Sequence, residues 1–284
     1  MRFFKSKIGL LAMSAVLLAS LVGCSQKEES GTADTGESNE FRVAMECAYP
    51  PFNWTQTDDS NGAVKIDSVS WAGGYDVEIA KAIAEGLGKE LVIVKTEWDG
   101  LAPSITSGKT DAIIAGMSNT EERRQTIDFT DNYYTSDIVI VVRRDSEYAD
   151  AKTVDDFGGA KITAQLNTLH YNFLDQLTGV DKQTAMEDFP TMTLAVSSGK
   201  IDGYVTERPG AASAILSNPE LMYVVLDEEN SFEIEEVDDV SIAIGIAKDS
   251  PYKEQINEIL SGIGEETRQQ IMDDALENQP MNQE

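Results

Sequence analysis

The sequence predicts an α/β protein of two similar lobes, each a mostly parallel sheet with helices on both faces. Three observations predict it. The chain has 284 residues, room for two ordinary domains, and 41% of them are apolar, enough for a packed core. Strand-like and helix-like stretches alternate along it, the pattern of parallel sheets covered on both sides. One phrase also occurs twice: Ser107-Gly108-Lys109-Thr110-Asp111-Ala112-Ile113-Ile114 returns as Ser198-Gly199-Lys200-Ile201-Asp202-Gly203-Tyr204-Val205. Each copy ends a helix at Gly-Lys and enters a strand through Asp, although such a connector is common in α/β proteins.

The first residues read as an export signal rather than as fold. Arg2, Lys5 and Lys7 lead into an almost wholly apolar run over 8–19, shorter than the about 20 residues a spanning helix takes. Leu21-Val22-Gly23-Cys24 follows, so residues 1–23 have the layout of a secretory signal peptide. Small residues just before a cysteine resemble the lipobox of bacterial lipoproteins. That resemblance implies cleavage after Gly23 and a lipid on Cys24; an ordinary signal with a chance cysteine is the other reading. After Cys24, residues 25–40 carry no large apolar side chain, so residues 24–40 read as a flexible tether. With Cys24 committed to lipid, Cys47 has no disulfide partner and is expected as a buried thiol.

The folded body is expected from Phe41. Residues 41–44 read as a strand. Residues 76–87 read as a helix, because Ile79, Ala80, Ile83, Ala84 and Leu87 share one face and Gly88 stops it. A strand at 91–95 and a short helix at 101–107 follow, the latter with Pro103 in its first turn. Strands are expected at 111–115 and 138–142. In the second half, strands at 162–164, 185–189, 203–205 and 241–247 alternate with helices at 168–177, 192–198 and 209–217. Two helices, near 252–261 and 265–276, complete the chain.

Composition narrows the function. Acidic residues number 50 against 22 basic ones, a formal charge of −28, so no nucleic-acid partner is expected. His170 is the single histidine, and with Cys24 and Cys47 it leaves too few ligands for a His/Cys zinc centre. No metal and no cofactor is expected. A Ser-His-Asp enzyme would have to be built on His170 alone.

In open α/β sheets, ligands bind outside the carboxyl ends of the strands. The repeated strands end at Ala115-Gly116 and at Thr206-Glu207, which two similar lobes would place in comparable positions across a cleft. Beyond the first lies Ser118-Asn119-Thr120-Glu121-Glu122-Arg123-Arg124. Ser118 or Thr120 can cap a helix there, and the two glutamates suit its dipole. Arg123 beside free backbone N–H groups makes a carboxylate site; a surface helix with solvated charges is the plainer alternative. Glu207 either receives an ammonium group or merely favours the dipole of the helix after it. Tyr49, in the proline-stiffened Tyr49-Pro50-Pro51-Phe52, and Trp98 either wall a ligand pocket or plug the core.

From Phe41 to about Ala275 the chain resembles the amino-acid-binding proteins of bacterial ABC importers, most of all the group binding polar amino acids. The phrases that carry the resemblance are Tyr49-Pro50-Pro51-Phe52, Gly74-Tyr75-Asp76-Val77-Glu78-Ile79-Ala80 and Trp98-Asp99-Gly100-Leu101. The run from Asp111 through Ala115-Gly116-Met117-Ser118 to Glu121-Glu122-Arg123 and Asp128-Phe129 carries it further. The resemblance implies a type II periplasmic-binding-protein fold. Lobe 1 would be 41–136 plus 239–284, lobe 2 would be 137–238, and two crossing strands would join them. It implies that Arg123 grips the ligand α-carboxylate with help from Thr168. Ala115, Gly116 and Ser118 would line the amino-acid backbone site, and Glu207 would bind the α-ammonium in place of the usual Asp. Tyr49 and Trp98 would sandwich the side chain, with Gln165 and His170 at variable lining positions. Asn167 replaces the glycine of the usual Gly-Thr turn, and Asn tolerates left-handed backbone. The stretch 57–70 is longer than usual and has no assignment.

Glu46 matches a position where cation-binding members carry an acid facing the side chain. A lone carboxylate there repels aspartate and glutamate, and tyrosine and tryptophan faces stack on guanidinium. The expected ligand is arginine or another cationic amino acid, with glutamine or cystine as the alternative. The expected partners are the membrane subunits of an ABC importer and, through Cys24, the outer face of the cell membrane, with the protein a monomer. A dehydratase-type enzyme and a sensor domain on the same fold are the other classes. The enzyme would need a poised acid or base, and of the nearby candidates Glu46, Glu207 and His170 the binding role already accounts for the first two.

Overall fold

The computed structural model describes residues 39–234 and 240–280. The export signal, Cys24 and most of the expected tether lie outside them. Phe41, Val43, Ala44 and Met45 are all buried, which places β1 (Glu40–Met45) inside a sheet rather than at its edge. β1 pairs in parallel with β6 (Glu90–Lys95) on one side and with β7 (Ala112–Ile113) on the other. β14 (Ser241–Ile246) runs antiparallel to β7 and to β8 (Asp128–Thr135), giving the order β6-β1-β7-β14-β8. α1 (Tyr75–Gly86) buries Ile79, Ala80, Ile83 and Ala84 of the expected stripe, with Val77 added and Leu87 just past its end, and packs on β6. α7 (Lys253–Gly262) and α8 (Glu265–Asn278) return to pack against α1.

The second sheet repeats the plan. β10 (Lys161–Thr163) lies in parallel between β11 (Asp181–Lys182) and β12 (Gly203–Glu207). β9 (Ile138–Arg143) runs antiparallel to β12 and to β13 (Leu221–Val224), giving β11-β10-β12-β9-β13. β9 reads Ile-Val-Ile-Val-Val and is buried on both faces, as covered strands are. Its side chains alternate between two cores. Val139 and Val141 join a cluster that runs from Phe41 and Met45 through Tyr49 to Phe189 and Tyr204. Ile138, Ile140 and Val142 join a second cluster with Phe157, Leu174 and Phe232.

The repeated phrase has one structural job in both sheets. α2 (Leu101–Thr106) and α5 (Phe189–Ser197) each end before a glycine, Gly108 and Gly199, both at φ 70° in the left-handed region that glycine enters without strain. Lys109 and Lys200 then donate their N–H groups back to Ser104 and Ala195 at 2.9 Å. The aspartate that follows accepts from the first strand of the sheet: Arg42 N–H to Asp111 and Lys161 N–H to Asp202, each at 2.8 Å. In return Asp111 N–H and Asp202 N–H bond the carbonyls of the same two residues. The connector therefore locks the register of β7 on β1 and of β12 on β10.

Besides β8 and β13, which no expected strand covers, three stretches differ from the sequence reading. The strand expected at 185–189 is absent among the described residues; β11 lies earlier, and Gln165 and Met186 form only an isolated bridge. The reason is local: Asp188 Oδ1 accepts from Thr191 N–H at 2.8 Å and Pro190 fills the first turn, so Phe189 opens α5. The helix expected over 168–177 breaks into α4 (Leu169–Phe173) and a tighter turn, Leu174–Gln176. Residues 48–73 form a small antiparallel sheet unforeseen in the sequence. Its strands are β2 (Ala48–Tyr49), β3 (Asn53–Gln56), β5 (Trp71–Gly73) and β4 (Val64–Lys65), and the unassigned stretch 57–70 supplies β4 and a short turn.

Candidate functional site

The sequence-predicted residues gather at the carboxyl ends of parallel strands from both sheets. Glu46 follows β1, Ala115, Gly116 and Ser118 follow β7, and Trp98 lies three residues past β6. On the other side Gln165 and Thr168 follow β10, and Glu207 ends β12. Links between the two groups join them. Tyr49 Oη donates to Glu207 Oε2. Gln165 Nε2 donates to both oxygens of Glu46, at 3.1 and 3.2 Å. The Asn167 carbonyl accepts from Arg123 Nη2 at 3.1 Å and from Trp98 Nε1 at 3.4 Å, and Asn167 Nδ2 donates to Asp99 at 2.8 Å. Asn167 holds φ 55°, the left-handed turn that its side chain type tolerates.

Arg123 belongs to α3 (Glu121–Arg124), a single turn capped by Thr120, whose hydroxyl accepts from Arg123 N–H. The guanidinium donates to the Ser118 carbonyl at 2.8 Å and lies over the Trp98 ring, 5.2 Å from its centre. Burial pulls its pKa down to about 10, which still leaves it protonated near neutrality. Thr168 Oγ is turned back onto the Gln165 carbonyl at 2.7 Å. Gly116 holds φ 59°, and a Cβ there would come within 3.0 Å of the Tyr49 ring, so the close approach of that ring requires glycine.

Glu207 is fully buried and fully partnered. His170 Nε2 stands 3.0 Å from Oε1 while Tyr49 holds Oε2. Burial works against its ionisation, but His170 and the hydrogen bonds from His170 and Tyr49 outweigh that and hold the carboxyl below its ordinary range. The opposite holds at Glu46: burial pushes its carboxyl up to about 7, the Gln165 amide only partly offsets this, and Asp188 and Glu97 add to the rise. Beside Trp98 opens a cavity of about 210 Å³ lined by Glu97, Trp98, Asp99, Leu166 and Glu187, drawn from both lobes.

Two features stand apart from the expected site. Tyr49 and Trp98, the two implied walls, are each covered by another group: the Tyr49 ring stacks on Phe189 at 3.9 Å between centres, and Arg123 covers Trp98. The His170–Glu207 pair was legible only as a variable lining position. Its signal was the single histidine in the first helical turn after Thr168. Phe189 lay hidden in the segment read as a strand. Cys47 is a buried free thiol as expected, its pKa pushed up to about 12 by burial.

The comparisons with known proteins agree with this geometry. A probable histidine-binding protein of Campylobacter jejuni is 32% identical over 204 residues, covering 71% of this chain and 74% of its own. An L-cystine-binding protein of Escherichia coli is 32% identical over 216 residues, covering 73% and 75%. An amino-acid ABC transporter substrate-binding protein of Streptococcus pneumoniae, solved bound to L-arginine, superposes with a TM-score of 0.71 at 26% identity, over 84% of this chain and 95% of that one. The fold is the two-lobed type II periplasmic-binding-protein architecture. The family described as bacterial extracellular solute-binding proteins, family 3, matches residues 41–277. With both sheets and the facing strand ends inside that span, the chain belongs to that family.

Proposed function

We propose that the protein captures an L-α-amino acid with a cationic side chain, arginine foremost, between its lobes and hands it to the membrane subunits of an ABC importer. The observation that carries this reading is that Arg123, a cation on α3 after β7, lies near enough to Glu207, the buried anion ending β12 of the other sheet, to feel its charge. That pair fits the carboxylate and ammonium of one zwitterion. Lobe 1 is taken as 41–136 plus 239–284 and lobe 2 as 137–238, so each lobe supplies one of the two charges. The names of the relatives, which bind histidine, cystine and arginine, support the ligand class. For the side chain, Glu46 and the acid-lined cavity beside Trp98 favour a cation. The second reading, glutamine or cystine, draws on Glu46 itself: a carboxyl at about 7 is half protonated near neutrality and then presents no charge. Attachment to the outer face of the membrane through a lipid on Cys24 completes the proposal, and incorporation of labelled palmitate tests it; absence of label leaves residues 1–23 a plain secretory signal.

The choice between the two readings is decided at Glu46. Glu46→Gln should weaken arginine and lysine relative to glutamine by about 1–3 kcal/mol, the scale of a hydrogen bond involving a charged group. Arg123 and Glu207 act alike on every ligand, so their contribution cancels in that ratio. The pH dependence has a definite sign. A bound cation requires the ionised carboxyl, so below pH 7 arginine must first drive a proton off Glu46, and its affinity falls as pH drops through about 7. Glutamine lacks this extra dependence, and Glu46→Gln removes it for arginine. Titration calorimetry with both ligands and both proteins between pH 6 and 8 checks this. Equal pH slopes for arginine and glutamine in the wild type would place the cation elsewhere.

A further inference from the structure

The phrase Gly74-Tyr75-Asp76-Val77-Glu78-Ile79-Ala80 contributes nothing to the ligand set, yet it contains a fully buried carboxylate, Asp76, in the first turn of α1. A buried charge is costly unless hydrogen bonds hold it, and Asp76 is held on both oxygens. Tyr133 Oη donates to Oδ1 at 2.7 Å and Asn53 Nδ2 donates to Oδ2 at 2.8 Å. Each donor passes the link on. Tyr133 Oη accepts from Gly116 N–H at 3.2 Å, and Asn53 Oδ1 accepts from Cys47 N–H at 2.7 Å. Gly116 and Cys47 lie in the two lobe 1 loops of the candidate site, and Cys47 sits directly after Glu46 and two residues before Tyr49. Both residues hold left-handed backbone, φ 59° and 56°, and for Cys47 that conformation needs support from its surroundings.

We propose that Asp76 is a positioning residue that sets both lobe 1 binding loops from behind, by fixing which way the hydrogen bonds of Tyr133 and Asn53 run. An ionised carboxylate can only accept. The Tyr133 proton is thereby committed to Asp76, leaving its oxygen lone pairs to receive Gly116 N–H. The Asn53 NH₂ is committed in the same way, so its carbonyl oxygen must face Cys47 N–H. The backbone of Asp76 and its neighbour adds to the hold, since Asp76 N–H and Tyr75 N–H donate to the carbonyls of Phe52 and Pro51 at 2.7 and 3.0 Å. Burial raises the Asp76 carboxyl to about 6, with Glu207 across the site adding to the rise, so it is ionised near neutrality. An asparagine at this position has the same shape but offers one acceptor and one donor. It must therefore reverse one of the two arms, which either weakens the hold on Gly116 N–H, a group that also faces the carboxyl at 76, or turns the Asn53 NH₂ toward Cys47 N–H.

This inference rests on the reading of the site as an amino-acid site, and its test separates the two. Arginine affinity is measured by calorimetry on the wild type, Asp76→Asn, Tyr133→Phe and Asn53→Ala. Hydrogen exchange of the Gly116 and Cys47 amides is followed by NMR on the same proteins without ligand. The expected result for Asp76→Asn is a loss of roughly tenfold to a hundredfold in affinity, the range seen when groups that orient metal ligands are removed. The loss should appear in protein that remains folded, with fast exchange at one or both of the two amides. Tyr133→Phe should release Gly116 but not Cys47, and Asn53→Ala the reverse, so the arms remain testable if Asp76→Asn fails to fold. A purely structural role for Asp76 would lower the melting temperature, while folded protein kept wild-type affinity and slow exchange at both amides. That outcome, or wild-type affinity and exchange in both single-arm variants, overturns the proposal. If the wild type binds no amino acid, the functional reading fails, while the exchange measurements still decide whether Asp76 sets the loops.

Discussion

Arg123→Ala should abolish most amino-acid binding. Truncating one member of a desolvated, hydrogen-bonded charge pair costs about 2–5 kcal/mol, which is roughly 30-fold to several thousandfold in affinity. The loss has two sources. The guanidinium commits one N–H to the Ser118 carbonyl and one to the Asn167 carbonyl, which fixes its plane and leaves three of its five N–H groups for a carboxylate. It also covers Trp98, and its removal uncovers that ring. The neighbouring Arg124 supplies the control. Its guanidinium is turned to Asn119, bonding both the backbone and side-chain oxygens, and Arg124→Ala should change affinity far less. Equal losses from the two would mean that the carboxylate is held somewhere other than at Arg123.

Glu207→Gln should weaken every L-amino acid by a similar factor, again about 2–5 kcal/mol, because the ammonium it would bind is common to all of them. Stability should fall as well. The carboxylate is buried with His170 at 3.0 Å and Tyr49 on its other oxygen, and disturbing one partner of a buried pair leaves the others poorly matched. The pH dependence of this contribution has a fixed sign. The folded carboxyl is held below its ordinary range, so its stabilisation is fully present above the unfolded value of ~4.3. It is then lost as pH falls through the lowered folded value. Wild type should therefore lose stability more steeply than Glu207→Gln over that acidic window. Urea unfolding at a series of pH values measures the difference. Parallel curves would show that the ionised Glu207 carboxylate contributes nothing to the fold. Glu46 acts in the opposite sense: its raised carboxyl makes stability fall as pH climbs from ~4.3 through about 7, so the two groups can be told apart by window.

How much of this was legible in the sequence follows from how local each signal is. The two-sheet plan was, because its determinants are short-range: the apolar stripe of α1, the unbroken Ile-Val run of β9, and the Gly-Lys-x-Asp connector whose aspartate caps the neighbouring strand in both sheets. β8 was missed because Asp-Phe-Thr-Asp-Asn-Tyr-Tyr-Thr reads as polar; its buried residues, Phe129, Thr130 and Tyr133, follow no two-residue period, and its partner β14 lies over a hundred residues away. α5 was misread at its start because Phe189 is apolar in a stretch resembling a strand, while the Asp188 cap and Pro190 carried the truer signal.

At the candidate site, placement at strand ends was legible, but pairing was not. Nothing in the spacing of Tyr49, Phe189 and Glu207 shows that a ring from one lobe stacks on a ring of the other while its hydroxyl reaches the carboxylate. That depends on how the two sheets are placed against each other, which no local motif shows. The same holds for Asp76. Its phrase marked it as part of the family pattern, but its service to Gly116 and Cys47 runs through Tyr133 and Asn53, which come from two other strands.

The central claim is that Arg123 and Glu207 together read one zwitterion. The most direct measurement is calorimetric titration of the protein with L-arginine, with agmatine, which lacks the carboxylate, and with a guanidino acid lacking the α-amino group. The account predicts one L-arginine per chain and a loss of roughly 30-fold to several thousandfold for either analogue, since each leaves one charge of the site unmatched at a cost of about 2–5 kcal/mol. Agmatine binding as tightly as arginine would contradict it, because the carboxylate, and with it Arg123, would then contribute nothing to recognition.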